Sequence, residues 1–93
     1  MTVPDSLQSL KRPLVQLFPN PANHKVEIEL KGFEPGFVQV QFFDTRGNRL
    51  RDDKRLLVNG NEIIMVMFAL QPGIYFLLLK QNEKTVRKKL FVQ

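Results

Sequence analysis

Leu70-Gln71-Pro72-Gly73-Ile74-Tyr75-Phe76-Leu77-Leu78-Leu79-Lys80 decides how this chain is read. Proline fixes φ and glycine tolerates φ > 0, so Pro72-Gly73 predicts a type II turn. The apolar run after it is short, rich in β-formers and closed by the polar Gln81-Asn82-Glu83-Lys84. Apolar on both faces, it reads as a central strand buried from both sides. A buried helix is the competing reading, and Ile74-Tyr75-Phe76 directly after Pro-Gly speaks against it.

The neighbouring segments fit around such a strand. Lys25 to Lys31 alternates strictly, with Val26, Ile28 and Leu30 on one face and charges on the other, as a strand with one wet face does. Leu14 to Phe18 is a first strand stopped by Pro19-Asn20-Pro21, whose two missing N–H donors exclude that segment from the middle of a sheet. Phe37 to Phe43 is a third strand, with Val38, Val40 and Phe42 on one face. Asp44-Thr45-Arg46-Gly47-Asn48 follows as a tight turn, in which Asp44 can accept from the backbone two residues on and Gly47 supplies the permissive φ. Arg49 to Arg51 and Lys54 to Val58 read as one or two charged edge strands broken near Asp52-Asp53. Asn59-Gly60 is a two-residue hairpin signal that would join Leu56-Leu57-Val58 to Glu62 through Phe68. Thr85 to Val92 is the last strand. About seven strands with regular turn signals and no helical period predict an all-β fold, an antiparallel sandwich or small barrel.

Ninety-three residues make one domain, here 14–93, with 1–13 as a linker or an added N-terminal segment ending at Pro13. Cysteine is absent, so no disulfide framework or thiol chemistry is available. No apolar stretch is long enough to span a bilayer, so membrane insertion is not expected. The first residues lack the basic start and apolar run of a secretory signal, so an exported protein of this kind would take its signal from sequence further upstream. The formal charge of +5 is spread among mixed acids and bases and does not indicate a nucleic-acid partner.

The enzyme reading fails on inventory. The only serines, Ser6 and Ser9, sit in the linker, and the sole histidine, His24, lies beside the Pro19-Asn20-Pro21 turn. A nucleophile needs a base beside it, and nothing here brings the two together. Asp52 and Asp53, adjacent on a strand, point to opposite faces and make no metal site; no cofactor is implied. Glu27 and Glu29 share a face, but that face is the wet side of an amphipathic strand. A carbohydrate-binding or adhesion module is the more serious rival. Such modules stack sugars on Trp or Tyr, and this chain has no Trp and a single Tyr inside the predicted core strand. Phe33 and Phe37 flank a Gly-Pro loop, where capping the end of the sandwich is their expected role. The cluster Arg87-Lys88-Lys89 alternates on the last strand: Lys88 shares a face with Val86, Leu90 and Val92, while Arg87 and Lys89 share the other with Phe91. Protection of an edge strand explains it without function; a docking surface is the functional alternative.

Four motifs stand in order: Leu17-Phe18-Pro19-Asn20-Pro21-Ala22, Phe43-Asp44-Thr45-Arg46-Gly47-Asn48-Arg49, Leu70-Gln71-Pro72-Gly73-Ile74-Tyr75-Phe76 and Lys88-Lys89-Leu90-Phe91-Val92-Gln93. Together, over Leu14 to Gln93, they resemble the C-terminal sorting domain of the type IX (Por) secretion system of Bacteroidetes. The resemblance implies an immunoglobulin-like sandwich at the end of a larger cargo protein that reaches the periplasm and then the cell surface or the medium. It implies three partners: the upstream cargo domain, the outer-membrane translocon and a sortase. The sorting-motif residues it marks are Pro19, Asn20, Pro21, Asp44, Gly47, Leu70, Gly73, Tyr75, Arg87, Lys88, Lys89, Leu90 and Val92. Of these, the prolines and glycines are read as setting turns rather than making contacts. Tyr75 is read as a core anchor whose hydroxyl finds a partner, and the exposed part of the last strand as the contact, by edge pairing. One departure from the family pattern is Met65-Val66-Met67-Phe68-Ala69, more apolar than usual, which opens the question of a self-associating face and a homodimer.

Overall fold

The computed structural model describes residues 12–93; the linker expected over 1–13, with Ser6 and Ser9, falls almost wholly outside them. Seven strands follow in order: β1 (Leu14–Phe18), β2 (Lys25–Lys31), β3 (Gly36–Phe43), β4 (Arg49–Leu57), β5 (Glu62–Met67), β6 (Gly73–Gln81) and β7 (Lys84–Val92). They form two antiparallel sheets, β1-β2-β5 and β4-β3-β6-β7. Their inner faces make one core: Val26, Ile28, Leu30, Ile64 and Val66 from the first sheet meet Val38, Val40, Phe42, Leu77, Leu79 and Leu90 from the second. This is the immunoglobulin-like sandwich, with the fourth strand paired to the third instead of the fifth. Each fully buried Val, Leu or Ile contributes roughly 1.5–3 kcal/mol of apolar transfer, so the period-2 pattern is what drives the two layers together.

β6 lies between β3 and β7, but only one of its faces enters the core. Tyr75, Leu77 and Leu79 are buried, whereas Phe76 and Leu78 are half-buried on the outer face and Ile74 is exposed. The expectation of burial on both sides is therefore corrected. In a two-layer sandwich nothing lies over the outer face of a sheet except its own neighbouring side chains.

Four further expectations change with the structure. The charged segment is one continuous strand, β4, ending at Leu57; Asp52 and Asp53 do not break it but pair with Gln41 and Val40 across the ladder. Each carboxylate finds a partner on its own face, Asp52 accepting from Gln39 Nε2 at 2.9 Å and Asp53 pairing with the Arg51 guanidinium. The Gln39 hydrogen bond holds the Asp52 carboxyl below its ordinary range. The irregularity lies instead at Phe42/Phe43, where the register shifts.

Asn59-Gly60 is not a hairpin turn, because β4 and β5 belong to different sheets. It is a crossing between layers, ordered by Asn59: its side-chain oxygen accepts from Asn61 N at 2.9 Å, and its own N–H donates to Glu62 Oε2 at 2.8 Å. Gly60 is needed for closeness rather than for φ, since a Cβ there would lie 1.7 Å from the Phe33 carbonyl oxygen. Likewise Pro72-Gly73 bends a crossing from β5 to β6; the Gly73 φ of 158° is far from a type II turn, and Gly73 is already the first residue of β6. Phe33 caps the sandwich end at 6% exposure, but Phe37 is 64% exposed. The two rings therefore make no shared platform.

Gly60→Ala is expected to lower stability by about 2 kcal/mol or more, because the added methyl meets backbone rather than a yielding side chain. Urea unfolding followed by circular dichroism measures it. An unchanged midpoint would show that the crossing can move away from Phe33.

Candidate recognition surface

The four sequence motifs assemble into two adjoining places around β7. The first is the seam between β1 and β7. Pro19 and Pro21, having no N–H, leave Asn20 as the polar group of the segment, and its side-chain amide acts like a peptide group. Asn20 Nδ2 donates to the Lys89 carbonyl at 3.0 Å, and Phe91 N donates to Asn20 Oδ1 at 2.9 Å. Ala22 continues the pairing: its N–H donates to Phe91 O at 2.7 Å, and Gln93 N donates to Ala22 O at 2.9 Å. Buried Ala22 and Val92 face each other in a short parallel bridge. The prolines were expected to set a turn; the residues beside them, Asn20 and Ala22, partner the last strand.

In antiparallel pairing the residues whose backbone groups face a given side alternate. The bonds at Lys89, Phe91 and Gln93 show that odd-numbered residues of β7 face away from β6. From the Lys89 carbonyl onward that edge is occupied. Among the described residues Thr85 and Arg87 keep their outward N–H and C=O without a strand partner. Edge pairing with another protein therefore has only the first half of β7 to use.

The second place is a groove of about 510 Å³ on the outer face of the four-stranded sheet, lined by Phe43, the turn Asp44 to Gly47, Phe76, Leu78 and Arg87. The turn is built by Asp44. Its Oδ1 accepts from Arg46 N and Asn48 N, each at 2.9 Å, and its Oδ2 accepts from Asn48 Nδ2 at 3.0 Å. Gly47, at φ 88°, makes the reversal that a Cβ would strain. The Asn48 hydrogen bonds, side chain first, hold the Asp44 carboxyl below its ordinary value. Register places Arg87 opposite Leu78 and Lys89 opposite Phe76. The Arg87 guanidinium sits 4.5 Å from the Phe76 ring centroid, and the Lys89 ammonium 5.9 Å from that of Phe91. Among the described residues none of Arg46, Arg87, Lys88 and Lys89 forms an ion pair. Arg46, Arg87 and Lys89 border an aromatic floor with their side-chain donors unspent among the described residues.

Tyr75 roots the groove in the core. Its hydroxyl donates to the Gln71 carbonyl at 2.6 Å, four residues back, in the arrangement called a tyrosine corner at this position of immunoglobulin-like domains. Gly73 lies under the ring, and Leu70 packs on the core beside it. Leu90 and Val92 are buried. Lys88, on the face of β7 that turns toward the core, stays exposed in a cleft beside Val15 to Phe18 and Asn20.

Residues 16–93 match the family model described as the secretion system C-terminal sorting domain. The chain belongs to this type IX sorting-domain family. A search of curated proteins found no match. For a sorting domain the layout is economical: Asn20, Ala22, Asp44, Gly47, Gly73 and Tyr75 fix backbone, and among the described residues Arg87, Lys88 and Lys89 form no ion pair. Reading the sequence missed Phe43, Phe76 and Leu78 as surface residues. Their alternation was visible, but which strand stood across from them was not.

Two outcomes test this construction. Asn20→Ala removes both bonds to β7, so amide exchange at Phe91 should accelerate and stability fall by about 1 kcal/mol; unchanged exchange would mean that Ala22 alone holds the edge. For Asp44 the lowered value means that its stabilising share is fully present above the ordinary carboxylate pKa and is lost as pH falls through the lowered one. The stability difference between the protein and Asp44→Ala should thus be largest near neutrality and shrink in acid, as read by urea midpoints across pH.

Proposed function

We propose that this sorting domain is a non-catalytic export signal, directing a larger cargo protein from the periplasm across the outer membrane to the cell surface or the medium. The observation that carries this reading is the gathering of the motifs around β7. One of them ties down its end, which is itself another, and two form the groove beside which, among the described residues, Arg87 and Lys89 stand without ion pairs. A transport signal must fold, remain soluble and offer a readable surface, and that is the work these residues can do.

In this reading the outer-membrane translocon contacts Arg87, Lys89 and the open edge at Thr85 to Arg87, and a sortase removes the domain from the delivered cargo. Residues 1–13 are the linker to the cargo. Pro19, Asn20, Pro21, Asp44, Gly47, Leu70, Gly73, Tyr75, Leu90 and Val92 act by shaping that surface, while Arg87, Lys88 and Lys89 supply its charge. A homodimer concerns a different face of the molecule, β5.

The test separates charge from fold. Arg87→Gln with Lys89→Gln removes two solvent-facing cations and should change stability by no more than about 1 kcal/mol. Export of a reporter fused to the domain, in a host with the type IX system, should fall sharply. A doubly substituted domain that melts normally and still delivers its reporter would show that the β7 cations are not read.

A further inference from the structure

Strands β1, β4, β5 and β7 each end a sheet, and a bare edge invites pairing with another chain. Three of these edges carry protection. β7 is covered by Asn20 and Ala22 along its second half and bears Arg87, Lys88 and Lys89. β4, Arg49-Leu50-Arg51-Asp52-Asp53-Lys54-Arg55-Leu56-Leu57, is charged along most of its length. β1 is five residues between Pro13 and Pro19.

β5 has none of these devices. It contains no proline, and its one charge, Glu62, is turned back onto Asn59 N. Phe68 N donates toward β2, to the His24 carbonyl, so alternation leaves the N–H and C=O of Ile63, Met65 and Met67 facing away from β2. Among the described residues only the Met67 carbonyl has a partner there, the Arg51 guanidinium. The side chains of the same three residues stand on the outer face of the sheet, 55%, 49% and 59% exposed. Unpaired backbone and an apolar row thus coincide at one edge.

We propose that β5 is a self-association edge: two copies pair it antiparallel about a two-fold axis at Met65, joining two three-stranded sheets into one of six strands. The partner is a second copy because the edge is complementary to itself. In that register Met65 faces Met65, and Ile63 faces Met67 of the second copy. Each of these residues offers an outward donor and acceptor to the other. The Met67 carbonyl retains a second lone pair beyond the one given to Arg51. No charge meets a like charge, since Glu62 falls at the far end from its counterpart. One strand pair buries less than a stable interface needs, so the dimer is reversible and weak. This inference is independent of the sorting reading, which concerns the opposite side of the sandwich.

Sedimentation velocity of the chain across a micromolar-to-millimolar series is expected to show a monomer–dimer equilibrium. Met65→Lys, which puts two ammonium groups on the axis, should raise the dissociation constant at least ~tenfold (~1.4 kcal/mol) without changing the thermal melt, as should Ile63→Lys. Because the chain has no cysteine, Met65→Cys should oxidise to a disulfide-linked dimer far faster than Lys54→Cys on the β4 edge. A chain that stays monomeric at millimolar concentration would overturn the proposal and leave the edge to a strand from another protein. A dimer indifferent to both lysine variants, or equal cross-linking at positions 54 and 65, would overturn it as well.

Discussion

The constraint on the end of the sandwich is that the outward backbone of β7 be paired, and two hydrogen bonds to the Asn20 amide help to meet it. β7 ends its sheet, and at a sheet edge half of a strand's polar groups face no strand. An exposed edge left unpaired is open to water and to strands of other chains. A side-chain amide flanked by two prolines meets that demand in a way a continuing strand cannot, because it pairs locally and then lets the chain turn into β2. With Ala22 it carries the first sheet onto the second and closes one side of the sandwich. Val92 and Leu90 are held in the core as a result.

The same device recurs at the other end of the molecule. The Gln81 side chain accepts from Glu34 N and donates to Glu34 O, each at 2.7 Å, so that the end of β6 pins the loop before β3. Asn59 orders the crossing from β4 to β5 in similar fashion. These amides and carboxamides serve backbone that the ladders leave over, which is why a chain with so little side-chain chemistry still needs Asn and Gln at fixed places. Gln81 is buried to 4% exposure and both its ends are satisfied, so its burial does not weaken the core.

Charge is partitioned by edge. On β4 both acids are paired with bases, Asp52 with Arg49 and Asp53 with Arg51. On β7, Arg87 and Lys89 have aromatic rings beneath them and, among the described residues, no ion-pair partner. Stacking on Phe76 restrains the Arg87 guanidinium without consuming its donors, which lowers the entropy lost when a carboxylate or carbonyl later meets it. A surface that is fixed in shape and unspent in charge is suited to being read, and the protected β4 edge is suited to being ignored.

The sequence by itself determined the strands. Val26, Ile28 and Leu30 or Val38, Val40 and Phe42 can bury one face only in extended chain, and Asp44 with Gly47 can only reverse it. Those local facts yielded the all-β class, a sandwich or small barrel, and the need of the Tyr75 hydroxyl for a partner; the resemblance to the sorting-domain family narrowed the fold to the immunoglobulin-like sandwich and marked the motif residues. Tertiary structure alone decided which strands are neighbours. Asn59-Gly60 has the residues of a hairpin, yet β4 is already paired with β3 and β5 with β2, so the chain between them has to cross from one layer to the other. Pro72-Gly73 crosses layers for the same reason. The apolar run of β6 looked buried on both faces because side-chain hydrophobicity does not say whether a third layer exists. Asn20, seventy-one residues from Phe91, has no local signal at all for the strand it holds. Its partner is fixed only when the two sheets meet.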